Sequence, residues 1–305
     1  ASKHYQSIIS YAPASIEAYV GLAALAYEAG DKTGSLEWLN KAIVANPGVP
    51  SPRLLAVKFL LTEGKAADAL KAADEFVQKF PTNPVAIDSK GAAQLATGDA
   101  KGAVSSFSKL VTLMPGSAPA QVKLAWAYRG DRRYDDAGRS LAAALKIDPA
   151  SVDAHRALVD LTFEREGSAA AIKKADEARG AIADKDFGAL LYADTLRASG
   201  KYADAEAIYK NAWKKSPTVP LLSAYSQSLE AQGKFDASRV VISQWLKSNP
   251  KDGNAQFMLM VNSISSGNYK GAIAEGLALQ KERPKDVALL NNMAWLYDKI
   301  GDAAK

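Results

Sequence analysis

The residues that could do chemistry in this chain are few and lie far apart. Only two histidines occur, His4 and His155, and no cysteine is present to complete a metal site with them. Because zinc needs three or four converging ligands, the sequence predicts no metal site. We expect His155 to pack or to stay exposed instead of acting in catalysis. The absence of cysteine also excludes disulfides within the chain, a composition that suits exported and cytosolic proteins alike.

The other candidates for chemistry lack the surroundings they would need. Serines are numerous, but no β-strand pattern leads into a sharp turn of the kind that exposes a nucleophile. The segment Gly98–Gly102 has neither the spacing nor the terminal Lys-Ser/Thr pair of a phosphate-binding loop. Asp135 and Asp136 lie in a predicted exposed turn, which is not a catalytic environment for two carboxylates. The sequence therefore predicts a protein that is not an enzyme and holds no cofactor.

The charge pattern excludes two classes of partner. Lysine and arginine number 38 against 33 aspartates and glutamates, and basic residues never occur in runs longer than two. Nucleic-acid binding needs a denser basic stripe, so we expect no nucleic-acid partner. The longest uncharged stretch, Gly253–Tyr269, contains several Asn, Gln and Ser residues and is not expected to span a membrane.

Regularly spaced prolines reveal the elements that must position any functional residue. They recur at steps of 34 residues, except for one step of 68 and one of 33. A fixed period in this range indicates an array of stacked structural repeats. The prolines are Pro13, Pro47, Pro81, Pro115, Pro149, Pro217, Pro250 and Pro284.

Each repeat reads as two helices joined by a glycine turn. A small residue stands 12 positions before each proline, where two helices must approach closely. Most repeats have glycine 17 positions before the proline, suited to a left-handed helix end, but Arg132 and Glu166 are exceptions. An apolar residue usually stands 25 positions before it, with Ala56 and Lys90 as exceptions. This pattern predicts an all-α chain.

The pattern resembles the tetratricopeptide repeat, most closely between Ala120 and Pro149. The matching residues there are Ala120, Leu124, Ala125, Tyr128, Tyr134, Ala137, Leu141, Ala144 and Pro149. The resemblance covers the whole chain and implies an all-α tetratricopeptide solenoid, a right-handed superhelix of antiparallel helix pairs.

The register of the repeats predicts a single array over residues 1–305. It comprises a half-repeat at 1–15, eight repeats of 33–34 residues at 16–286 and a half-repeat at 287–305. Residues 152–185 lack a closing proline and are interpreted as a degenerate repeat, with an interdomain linker as the alternative. Because both ends fall within a repeat, we expect a fragment of a longer protein, with a natural, frayed end as the alternative.

The resemblance also implies a binding surface, because the first helices of such repeats line a concave groove that holds a protein or peptide ligand. At the matching positions the middle repeats carry aromatic, arginine and aspartate residues, the types found at binding hot spots. The alternative is that these side chains pair with neighbouring repeats, and a polysaccharide ligand also stays open. The predicted contact residues are Trp126, Arg129, Arg156, Asp160, Phe163, Asp194 and Arg197.

The segment Val287–Gly301 resembles a late repeat of large bacterial tetratricopeptide lipoproteins that accompany exosortase (PEP-CTERM) and exopolysaccharide systems. This resemblance implies a periplasmic protein, lipid-anchored outside the present chain. The expected function is a non-catalytic interaction scaffold that assists exopolysaccharide or protein export. The alternative is the substrate-recognition arm of a larger enzyme, such as a glycosyltransferase.

Overall fold

The chain forms helices throughout the part that the structure describes. The computed structural model describes residues 1–301, and for Lys185 it describes the backbone alone. Over these residues there are 18 α-helices and no β-strand, which confirms the predicted all-α class. The helices are α1 (Ser2–Tyr11), α2 (Ile16–Glu28), α3 (Lys32–Ala45), α4 (Pro50–Thr62), α5 (Ala66–Lys79), α6 (Pro84–Ala96), α7 (Ala100–Leu113), α8 (Ala118–Gly130), α9 (Tyr134–Ile147), α10 (Val152–Glu166), α11 (Ser168–Ala181), α12 (Lys185–Ala198), α13 (Tyr202–Lys215), α14 (Val219–Glu230), α15 (Phe235–Ser248), α16 (Gly253–Ser265), α17 (Tyr269–Glu282) and α18 (Val287–Lys299).

The first helices of the repeats are the even-numbered ones, and most of them begin at a polar cap; α4, which follows Val49, has none. A side-chain oxygen just before the helix accepts a backbone N–H of the first turn, which stabilises a helix by about 1 kcal/mol. These caps are Ser15, Asn83, Ser117, Asp184, Thr218, Asp252 and Asp286. The local sequence thus determines where the helices that carry the predicted groove residues begin.

The turn between the two helices of a repeat contains one residue with a left-handed backbone. The predicted glycines confirm this, for example Gly98 with φ of 81°. In the two exceptional repeats the turn is made differently. Arg132 itself adopts φ of 60°, whereas Gly167, one residue after Glu166, takes the left-handed position with φ of 86°. The backbone geometry of the turn therefore persists where the glycine register does not.

The small residues predicted at close helix contacts are buried. All of them except Ala1, which is exposed, are at most 2% exposed. They are Ser35, Ala69, Ala103, Ala137, Ala171, Ala205, Ser238 and Ala272. A larger side chain at any of these positions would have to push two packed helices apart.

The chain divides into two compact units within α10. Unit 1 comprises Ala1–Leu161, and unit 2 begins at Thr162. The core of unit 1 contains Phe107 and Leu141, and the core of unit 2 contains Tyr209. The division precedes the second helix of the repeat that the sequence marks as degenerate. A single array over residues 1–305 stays a prediction.

Candidate functional site

Trp126 is the one aromatic side chain among the predicted contact residues of unit 1. It lies on α8 between Ala125 and Ala127, which are both buried. The indole is 43% exposed, and no other aromatic ring of the described residues pairs with it. A tryptophan held on a helix whose neighbouring residues are buried in the core presents a rigid apolar surface to a partner.

Two charged residues lie on α10 at the end of unit 1. Arg156 and Asp160 are one helical turn apart, so they share one face of the helix, and both are exposed. Within residues 1–301, neither side chain has a hydrogen-bond or ion-pair partner. Arg129, in the last turn of α8, is also exposed but already takes part in an interaction. Arg156 and Asp160 are therefore available to a ligand without breaking an internal contact.

A cleft lies between α6 and α8, the first helices of two consecutive repeats of unit 1. It has a volume of about 310 Å³, and its walls include Val85, Met114 and Pro119. At its edge, the ammonium of Lys123 donates to both carboxylate oxygens of Asp88, at 2.5 and 2.7 Å. This pair ties one first helix to the next and leaves both groups half-buried at the cleft.

This cleft was not among the predicted sites, although the sequence contains a signal for it. Val85 and Pro119 both stand 30 positions before a repeat-closing proline, so they occupy equivalent positions on α6 and α8. Two such apolar residues in consecutive repeats indicate a recess between first helices. The salt bridge joins Asp88 and Lys123, whose separation of 35 residues is one more than the repeat length of 34, so it could have been sought as a pair between consecutive repeats.

The predicted residues of unit 2 are arranged differently. Phe163, near the end of α10, is 37% exposed. Asp194 accepts a hydrogen bond from the hydroxyl of Tyr209 at 2.6 Å, and Arg197 donates from Nη1 to Oε1 of Gln227 at 3.2 Å. Asp194 and Arg197 thus already link α12 to α13 and α14, as in the alternative in which they pair with neighbouring repeats.

The environment of Tyr209 shows how closely Asp194 is integrated in the core. Tyr209 is fully buried. Burial, followed by the hydrogen bond to Asp194, raises the pKa of the Tyr209 phenol far above its usual range. The phenol therefore stays protonated at neutral pH and serves as a permanent donor to the carboxylate.

His155 has a structural contact that repeats along the chain. Its Nε2 lies 2.9 Å from the carbonyl oxygen of Pro149, six residues earlier. Polar side chains at the equivalent position of other repeats donate to their proline carbonyls in the same way. These contacts are Tyr19 to Pro13, Arg53 to Pro47 and Gln256 to Pro250. His155 with a protonated Nε2 therefore closes the turn before its helix, and no cluster of metal-ligating side chains is found in residues 1–301.

The described residues form an all-α protein built from repeated pairs of helices. Family models of the tetratricopeptide repeat match residues 1–50, 94–161 and 196–261, together more than half of the chain. The chain therefore belongs to the tetratricopeptide repeat family, whose members generally mediate protein–protein interactions and are typically non-catalytic. No helix in the described part is long and apolar enough to cross a membrane.

Solved structures similar to this chain come from several bacteria. A tetratricopeptide repeat protein from Parabacteroides merdae has 16% identity and a TM-score of 0.54, covering 81% of this chain and 98% of its own. MamA from Desulfovibrio magneticus has 20% identity and a TM-score of 0.47, covering 54% of this chain and 93% of its own. A tetratricopeptide protein from Thermus thermophilus has 19% identity and a TM-score of 0.48, and the match covers 60% of this chain and 99% of the Thermus protein. No curated protein sequence matches the chain, and at these identities the likeness to the Parabacteroides protein concerns the fold alone.

Proposed function

We propose that the chain is a non-catalytic scaffold that binds an extended protein segment along the first helices of unit 1. The observation that carries this proposal is the exposed Trp126 on α8. Covering its exposed part removes roughly 100 Å² of apolar surface from water, which stabilises a complex by about 2.5 kcal/mol. That value is in the range of a binding hot spot.

The charges near this face suit a peptide. Arg156 and Asp160 offer a donor and an acceptor one turn apart, and each can make charge-assisted hydrogen bonds to a partner. The cleft between α6 and α8 accepts an apolar side chain next to the Asp88–Lys123 pair. An extended segment with an apolar residue and flanking polar groups satisfies all of these features.

Arg129 stays in the proposal as a further contact of unit 1, whereas Phe163, Asp194 and Arg197 stay predicted contacts of unit 2 considered by itself. They differ in what binding would require. Phe163 is exposed and can be covered directly, whereas Asp194 and Arg197 would have to exchange an internal hydrogen bond for one to the partner. We therefore expect substitutions of Asp194 to affect stability first and binding second.

The experiment begins with capture of the partner in the source organism. A photo-crosslinking phenylalanine analogue replaces Trp126, and the crosslinked protein is identified by mass spectrometry. The purified partner is then titrated by calorimetry against the Trp126→Ala and Arg156→Ala proteins. We expect Trp126→Ala to weaken binding by about 30-fold, equivalent to about 2 kcal/mol.

Trp295 provides a matched control for this titration. It is 42% exposed, nearly the same as Trp126, but lies on α18 of unit 2 against Tyr269. Trp295→Ala should bind like the unmodified protein. Unchanged affinity of both folded groove variants would refute the proposal, and crosslinking to a polysaccharide in place of a protein would change the ligand class.

We propose further that the protein acts in the bacterial periplasm in exopolysaccharide or protein export, tethered by a lipid outside this chain. The support is the resemblance of Val287–Gly301 to late repeats of such lipoproteins. Fractionation of the source cells, with an antibody against the purified chain, tests the location. Sequencing the full gene tests the alternative of an enzyme arm, because a fused glycosyltransferase domain would favour it over the scaffold.

A further inference from the structure

A second recess lies in unit 1 on the side of the second helices, away from the residues of the proposed groove. It has a volume of about 250 Å³ and lies between α3 and α5, with α4 at its base. The base and walls are apolar and comprise Leu36, Ile43, Ala56, Leu60 and Ala72. The rim is polar and comprises Asn40, Arg53, Asp68, Lys71 and Glu75.

The recess arises from a departure in the repeat pattern. Twenty-five positions before the proline, other repeats have a large side chain such as Leu22, Leu124 or Tyr225, each buried. The equivalent residue here is Ala56, which is also buried. Because alanine lacks the three outer carbons of leucine, it leaves more space between α3 and α5 than a leucine at this position would.

A second departure lies in the next repeat and borders the same helix. Lys90 replaces the apolar residue there and forms an ion pair with Asp74 at 2.8 Å. These two residues line another depression, which Lys71 and Glu75 of α5 also border. The recess and the depression thus lie on either side of α5, next to the two consecutive repeats in which Ala56 and Lys90 replace the large apolar residue.

The charges of the rim follow a helical spacing. Asp68, Lys71 and Glu75 lie on α5 at intervals of three and four residues, so they form one stripe about 10 Å long. All three are exposed, and none has an ion-pair partner in the described part of the chain. A stripe that reads negative, positive, negative is complementary to a helix that reads positive, negative, positive at the same intervals.

We propose that this recess binds an amphipathic α-helix of a partner protein. One large aliphatic or aromatic side chain of that helix enters the space above Ala56. Basic, acidic and basic residues on the same face pair with Asp68, Lys71 and Glu75. This site is separate from the groove that carries Trp126, so the two proposals stand or fall independently.

The probe is a phage-displayed library of helical peptides selected against the purified chain, with the Ala56→Leu chain present as a competitor. Leucine at position 56 restores the residue of the other repeats and fills the recess, so the variant should melt at the same or a higher temperature. We expect the enriched peptides to share a large apolar residue and the basic–acidic–basic pattern. Ala56→Leu should weaken their binding by at least about tenfold in fluorescence anisotropy.

Further variants distinguish binding in this recess from binding elsewhere on the chain. Ala24→Leu places the same side chain on the exposed groove side of α2, and Trp126→Ala removes the groove anchor; neither should change peptide binding. Lys71→Glu should weaken peptide binding, and a peptide whose acidic residue is replaced by lysine should regain affinity for that variant. In NMR spectra, the methyl resonances of Ile43 and Leu60 should shift when the peptide binds.

The proposal is overturned if no peptide is enriched, or if the enriched peptides bind the Ala56→Leu chain equally well. Sensitivity to Trp126→Ala in place of Ala56→Leu would place the peptides in the groove. Failure of the reversed-charge peptide to recover binding to the Lys71→Glu chain would refute the proposed charge pairing. This last comparison stays decisive even if Ala56→Leu does not fold.

Discussion

Replacing Arg132 by glycine should stabilise unit 1. Arg132 is the only residue other than glycine with a positive φ in the described part of the chain, and its side chain is exposed. The left-handed backbone costs a non-glycine residue about 1–2 kcal/mol. Glycine removes this strain but adds about 0.5–1 kcal/mol of backbone entropy to the unfolded chain. The difference leaves a net stabilisation of about 0.5–1 kcal/mol.

The assay is thermal unfolding followed by far-ultraviolet circular dichroism, with urea unfolding as a second measurement. For a unit of this size, the expected stabilisation raises the melting temperature by about 1–4 °C. Arg132→Ala keeps the left-handed strain, so it should leave the melting temperature unchanged and separates the backbone effect from the loss of the side chain.

Gly98 provides the reverse substitution at the equivalent turn. Its φ is 81°, and a Cβ added there would meet no atom within 4 Å. Gly98→Ala therefore tests backbone strain without a steric clash and should destabilise unit 1 by about 1 kcal/mol. A lower melting temperature for Arg132→Gly, or no change for Gly98→Ala, would show that strain at this turn does not set the stability of the unit.

Three further predictions concern unit 2. Glu275→Ala removes the acceptor of Arg239 (2.6 Å) and of the buried Ser263 (2.8 Å), so it should lower the free energy of unfolding in urea by about 1–3 kcal/mol. As a control, substitution of the exposed Glu282 by alanine should change that free energy by less than about 0.5 kcal/mol, and equal effects of the two substitutions would contradict a role for this network. The hydrogen bond from Lys234 lowers the pKa of Glu206 in the folded protein. The ionised carboxylate of Glu206 therefore stabilises the folded state at a pH above its pKa in the unfolded chain, and this stabilisation is lost as the pH falls through its pKa in the folded protein. Lys234→Met should flatten the dependence of urea unfolding on pH between about 5 and 3, and an unchanged slope would argue against the pair. Because the pKa of Tyr209 is raised, its contribution is present below the unfolded pKa and is lost above about pH 10; Tyr209→Phe should remove its part of that alkaline loss, and a curve identical to that of the unmodified protein would contradict this.

The helices and their turns follow closely from the sequence, because each depends on residues within one repeat. A small residue at a close contact, such as Ala137, is required by its own helix pair. Arg132 marks the limit of this reasoning. The sequence shows that glycine is missing there, but only the structure shows that Arg132 itself adopts the left-handed backbone conformation. In the next repeat, only the structure shows that Gly167, one residue after Glu166, adopts that conformation.

The recess above Ala56 could be predicted only in part. The sequence identifies Ala56 and Lys90 as departures from the repeat pattern, which indicates that something differs at these positions. It does not show whether neighbouring side chains fill the space that a smaller residue leaves. In the structure the small residue Ala72 of α5 also lines the recess, and a volume of about 250 Å³ stays unfilled there although Ala56 itself is buried.

The predicted contact residues show why residue type alone does not distinguish a binding surface from an internal contact. Asp160 and Asp194 occupy equivalent positions in consecutive repeats, yet the first is exposed without a partner and the second accepts a hydrogen bond from Tyr209. The difference lies in the second helix that follows, where Tyr209 supplies a hydroxyl and the equivalent Ala175 supplies none. In these two repeats, the acidic residue on the first helix is free for a ligand where the residue 15 positions later has no group that can donate to it. The same comparison can be made for any other repeat of this array before a contact residue is chosen for substitution.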